Sequence, residues 1–189
     1  MTVNPDSQAA PSLPTLVAGA LQTYGRLLFL APSVFLVDQL SKYWVVNHSG
    51  FDLGYYPPWG GIELIPDFFA LVYAVNEGAA WGILQGHGEW LAALAILALA
   101  AIFFFRRDLE LHRPPMQWAF GLIIGGIVGN ALDRIRYGHV VDFLDVHLGF
   151  YRWPTFNFAD TGIVCGTLLY LFLSFRTTPS PDSVPPAVS

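Results

Sequence analysis

Pro114-Pro115-Met116-Gln117-Trp118-Ala119-Phe120-Gly121-Leu122-Ile123-Ile124-Gly125-Gly126-Ile127-Val128-Gly129-Asn130-Ala131-Leu132 contains no charged side chain and is closed at once by Asp133-Arg134. A charge at bilayer depth costs several kcal/mol, roughly 2.5 to 3.5 on insertion scales, so an uncharged run near the ~20 residues needed to cross a ~30 Å core reads as a membrane span. Working outward, Trp90–Phe105 is equally clean, and Thr161–Phe175 is clean and extends back to Trp153 with only Asp160 interrupting. Leu27–Val37 reaches spanning length if it continues through Asp38 and Lys42 to about Val46.

Composition agrees. Charged residues make up 12% of the 189, about half the ~25% of a soluble domain, while 54% are hydrophobic and 18 are Gly. A water-soluble fold of this size cannot hide that much apolar surface. The net charge of −5 provides no basic stripe for phosphates, so no nucleic-acid partner is expected. A single cysteine, Cys165, excludes an intrachain disulfide and any zinc site built on two thiolates. The expected fold is an all-α membrane protein with four transmembrane helices and a small extracytoplasmic β-element in the first outer loop.

The spans are expected at about 27–46, 82–105, 114–133 and 157–175, forming one membrane domain over 26–176. Residues 1–25 and 177–189, the latter rich in Pro and Ser, read as disordered tails. Arg26 with Leu27–Val37 lacks the small-residue cleavage pattern of a removed signal peptide, so the helix is expected to be retained. Between Tyr43 and Phe105 there is no Lys or Arg, whereas Arg106, Arg107 and Arg113 share one short loop. Positive residues stay cytoplasmic, which puts both termini and that loop inside and 47–81 outside. Arg134, Arg136 and Arg152 count against this orientation, but the basic loop outweighs them. Loop 47–81 is too long for a bare connection, and Phe68–Val75, rich in aromatic and β-branched residues, reads as a strand.

Polar groups inside such a chain are functional candidates by default. Asp38 and Lys42 are four apart on one helical face and read as a neutralised structural pair. Asn130, Asp133 and Arg134 close the third span, where they can brace a helix end. Asn157 and Asp160 open the fourth, and Asp142 lies in the preceding outer segment. Asp160 has no basic residue three or four away, and Asp142 has only His139. Two locally unpartnered carboxylates at one membrane interface point to acid–base chemistry. Gly121, Gly125 and Gly129 recur every four residues, a face on which another helix can pack closely.

These residues fall into five ordered motifs: Asp38-Gln39-Leu40-Ser41-Lys42, Asn76-Glu77-Gly78-Ala79-Ala80-Trp81-Gly82, Gly125 through Arg134, Val140-Val141-Asp142-Phe143 and Phe156-Asn157-Phe158-Ala159-Asp160. Taken together over 38–160 they resemble the lipoprotein signal peptidase (signal peptidase II) family of bacterial inner-membrane aspartic endopeptidases. Trp81 stands where that family usually has Phe, and Phe158 fills a variable aliphatic position. The resemblance implies a catalytic pair, Asp142 and Asp160, supported by Asp38, Lys42, Asn76, Gly78, Asn130, Asp133, Arg134, Asn157 and Ala159. It implies a diacylglyceryl-prolipoprotein substrate held in membrane lipid and cut just before the lipidated cysteine, an active site near the outer leaflet, and no metal or cofactor. A monomer is expected.

Two carboxylates sharing one proton suit peptide hydrolysis, because mutual repulsion raises one pKa while the other group stays ionised. One activates water; the other polarises the carbonyl and passes a proton to the leaving nitrogen. Three rivals are weaker. His139, Asp142, Asp145 and His147 could bind a divalent ion, but no His-Glu-x-x-His is present. Cys165 and Ser41 have no histidine nearby in sequence to activate them. A small transporter or assembly subunit would more naturally show internal repeats.

Overall fold

The computed structural model describes residues 12–79 and 83–176. Four helices, α1 (Leu13–Asn47), α2 (Gly88–Phe104), α3 (Pro114–Tyr137) and α4 (Phe158–Arg176), carry strands β1 (Ile62–Ile65), β2 (Phe69–Asn76) and β3 (Val140–Val146). α1, α3 and α4 are long and apolar enough to cross a membrane; α2 is equally apolar but has 17 residues. Their outward faces are apolar: Phe29, Leu36 and Leu40 on α1, Leu94 and Leu97 on α2, and Leu168 and Phe172 on α4 are exposed. Bilayer is the solvent that such faces require.

α3 forms the centre of the bundle because its glycines admit both neighbours. The Gly121–Gly125–Gly129 face receives α1, and a Cβ on Gly129 would sit 2.5 Å from Asp38 Oδ2. Gly126 lies against α4, where a Cβ would overlap the Ala159 carbonyl oxygen and crowd Ile163 Cγ1 at 2.8 Å. We therefore expect Gly126→Ala to lower thermal stability in detergent by about 1–3 kcal/mol through forced separation of α3 and α4. An unchanged unfolding midpoint would contradict this packing.

Three sequence expectations need correction. α1 begins at Leu13, not near residue 27, so 13–25 is helical. This stretch has good helix formers and Pro14 in the first turn, where proline is tolerated. A break at Tyr24 (φ −120°, ψ 18°) separates it from the expected span, and buried Gln117 of α3 donates to the Thr23 carbonyl at 2.7 Å there. α2 begins at Gly88 rather than 82, because Leu84 and Gly86 take positive φ values of 58° and 76° that end any helical run. The aromatic position Trp81 and the span start at Gly82 lie outside the described residues, as do 1–11 and 177–189.

Third, the β-element is not confined to the first outer loop. β1, β2 and β3 form an antiparallel sheet in that order, and β3 comes from the segment after α3. Gly138, at φ +78°, turns the chain out of α3 and into β3. Segment 151–156 then returns along the free edge of β3, with Phe156 pairing Leu144. Val45, Val141, Phe143 and Leu144 form the core joining sheet to bundle.

Candidate active site

The last turn of this route brings Asp142 and Asp160 together. In the β2–β3 register Asp142 faces Ala74, whose small side chain leaves space over the carboxylate. Asn76, two residues further along β2, points to the same side and reaches Asp142 with a hydrogen bond. Asn157 ends the return segment and caps α4. The Asp160 N–H donates to Asn157 Oδ1 at 2.9 Å, and the Asn157 N–H donates to Asp160 Oδ2 at 3.3 Å. This reciprocal arrangement is a capping box, which fixes Asp160 in the first turn, where the helix dipole also favours negative charge.

Asparagine amides then tie the two carboxylates into one network. Asn157 Nδ2 donates to Asp142 Oδ1 at 2.7 Å, and Asn130 Nδ2 donates to Asp160 Oδ1 at 2.7 Å. The two amides meet where Asn157 Nδ2 donates to Asn130 Oδ1 at 3.2 Å. Both aspartates line one cavity of about 390 Å³, together with Asn76, Gly78, Asn130 and Arg134. Burial, followed by the charge of Asp160, pushes the Asp142 carboxyl up to about 7 from its usual 3.8, against the pull of the Asn76 and Asn157 hydrogen bonds.

Beneath the cavity lies a buried cation. Lys42 Nζ contacts Asp38 Oδ2 and Asp133 Oδ2 at 2.8 Å each and donates to Asn130 Oδ1 at 2.9 Å, which uses all three of its protons. Asp38 Oδ1 accepts the Ala159 N–H at 2.9 Å, tying α1 to the start of α4. The expected Asp38–Lys42 pair is thus one arm of a triad that includes Asp133. Arg134 turns elsewhere: its Nη2 donates to the Gly78 carbonyl at 3.0 Å, while Asn76 Oδ1 accepts the Gly78 N–H at 3.0 Å.

The two aspartates and the nine supporting residues named with them therefore belong to one connected assembly. Gln39 was not singled out, yet its Nε2 lies 2.9 Å from Asp133 Oδ1 and 3.1 Å from Asp38 Oδ2. Its position between two ionisable residues inside a span was the signal. Tyr56, Trp153 and Thr155, which belong to none of the five motifs, also line the cavity. The four candidate metal ligands do not converge: Asp142 lines this cavity, Asp145 and His147 line a second, and His139 lines a third. Among the described residues no group of three or more His, Cys, Asp or Glu is arranged to hold an ion.

Apolar helices here carry a cavity lined by two aspartates at one end of the bundle, and comparison with known proteins gives the family. The profile described as Signal peptidase (SPase) II matches residues 30–176. A protein named lipoprotein signal peptidase from Oleidesulfovibrio alaskensis is 42% identical over 78% of this chain and 92% of its own length. One of the same name from Nostoc punctiforme is 41% identical over 82% and 93%. A solved bacterial membrane enzyme superposes with a TM-score of 0.72 at 31% identity, covering 85% of this chain and 95% of that one. The chain belongs to the signal peptidase II family, and it is a membrane peptidase.

Proposed function

We propose that this protein is an aspartic endopeptidase of the bacterial inner membrane that removes the signal peptide from diacylglyceryl-modified prolipoproteins, cutting just before the lipidated cysteine. The observation that carries this reading is that two acidic side chains from different elements line one cavity and are bridged by two amides. Asp142 and Asp160 share a proton. The ionised member takes a proton from water; the protonated member polarises the scissile carbonyl and later supplies the amine. The pair titrates as a unit, so neither role is assigned to one residue. Asn130 and Asn157 hold the pair, Asn76 orients Asp142, and Arg134 fixes the Gly78 backbone at the cavity wall.

α2 completes a four-span bundle on this reading: its 17 residues cover about 26 Å, enough for the ~30 Å core with its flanking turns at the interface. Both termini lie in the cytoplasm and the cavity faces the outer leaflet, where a lipid anchor holds the substrate cysteine at the depth of the aspartates. Anchoring supplies position rather than chemistry.

The test uses purified protein in detergent with a diacylated prolipoprotein, scored by gel shift and by mass spectrometry of the new N-terminus, with and without a chelator. A new N-terminus at the lipidated cysteine, at a chelator-insensitive rate, is expected. An uncut substrate, or loss of activity with chelator and recovery with zinc, overturns the assignment. The pH profile should be bell-shaped. Activity falls as pH rises through about 7, because the shared proton is lost, and falls again in acid when the second carboxylate is protonated. A rate that keeps rising well above neutral pH would contradict a shared proton.

A further inference from the structure

The outer wall of the cavity is held by contacts that the proposed chemistry does not use. Asp145 is three residues from Asp142 on β3 and so projects from the opposite face of the strand, where it is buried. Arg152 grips it in a fork, Nε to Oδ1 at 2.9 Å and Nη2 to Oδ2 at 2.8 Å. The same guanidinium sits over the ring of Tyr56, 3.8 Å from its centroid. Tyr56 in turn lines the cavity that contains Asp142 and Asp160.

This is a chain of fixed geometry. A planar fork on a buried carboxylate has one orientation, and Lys cannot reproduce it. The guanidinium so placed holds an aromatic face by cation–π attraction. Tyr56 belongs to the connection between α1 and β1, and its remaining side-chain hydrogen bond is a long one, 3.5 Å between its hydroxyl and Thr155 Oγ1. Arg152 thus ties the ring, through Asp145, to β3, the strand that also bears Asp142.

We propose that Asp145, Arg152 and Tyr56 form a positioning chain that sets the Tyr56 ring against the bound peptide, so that it governs substrate engagement and not bond cleavage. This rests on the peptidase reading above. The chain acts from the wall, away from the shared proton, and its loss changes KM.

The full-length protein in detergent is assayed with a diacylated prolipoprotein across substrate concentrations. Tyr56→Leu should raise KM about tenfold with kcat within about twofold, while Tyr56→Phe, which keeps the ring, should stay within about twofold in both. Arg152→Gln should raise KM similarly, and Arg152→Gln with Tyr56→Leu should be no worse than the weaker single variant. Arg152→Gln also strips a buried carboxylate of its two short contacts, leaving His147 Nε2 at 3.4 Å, so the Tyr56 series decides the matter if that variant does not fold. An unchanged KM in Tyr56→Leu, a loss confined to kcat, or additive effects in the double variant would overturn the positioning chain. Uncut substrate with the unmodified protein would instead overturn the peptidase reading beneath it.

Discussion

Asp142→Asn and Asp160→Asn are each expected to lower the rate of signal-peptide release by about 10²–10⁴-fold, the range that a positioned acid or base contributes, with the double variant scarcely worse than either single one. On the proposed mechanism the two groups act on one proton and one water, so removing either leaves the other without a task. Single-turnover gel-shift assays on inserted, folded protein would measure this, and near-normal processing by either variant would refute the pair. The same substitution has an opposite effect on stability. Burial and Asp160 raise the Asp142 carboxyl to about 7 in the folded protein from 3.8 in the open chain. Its contribution to stability is fully present below about pH 4 and is lost as pH rises through about 7. Asparagine has no such loss. Asp142→Asn should therefore melt higher than the parent at about pH 8, with the gain shrinking on acidification.

Lys42→Met is expected to have the largest structural effect. Lys42 is the cation in contact with both Asp38 and Asp133, and all three are buried. Removing one partner of a buried ion pair costs roughly 3–5 kcal/mol, because the charge left behind is neither hydrated nor compensated, and here two carboxylates are left behind. The variant should accumulate poorly and unfold at markedly lower temperature in detergent, followed by tryptophan fluorescence. Adding Asp38→Asn and Asp133→Asn to Lys42→Met should recover part of the loss, since neutral groups do not need the cation. A destabilisation below about 1 kcal/mol in the single variant would show that water reaches the triad.

Helices α3 and α4 were legible because a long uncharged run has few fates other than a span. α1 was legible only from Leu27 onward: residues 13–25 have neither charge nor strong apolar pattern, and the break at Tyr24 is met by Gln117, whose partner carbonyl at Thr23 is 94 positions away. β3 could not be read locally. Val140–Val146 is a strand covered on both faces, for which alternation is not required, and its two aspartates gave it the look of a loop. The site shows the same division. Residue types and order announced the aspartates and asparagines, but which of them meet is set by contacts such as Lys42–Asn130, 88 apart, and Ala159–Asp38, 121 apart. The positioning contacts of Arg152 and Tyr56 had no motif to mark them.

Asn130 stands between Lys42 and Asp160, accepting from one and donating to the other. An ammonium in direct contact with that aspartate would neutralise it as a salt and hold it permanently anionic, leaving no reason for a hydrogen ion to reside there. An interposed carboxamide passes on orientation while keeping the ammonium one residue away from direct contact. On the proposed mechanism a permanent positive charge can thus brace the bundle beside the acidic pair without forming a salt with it.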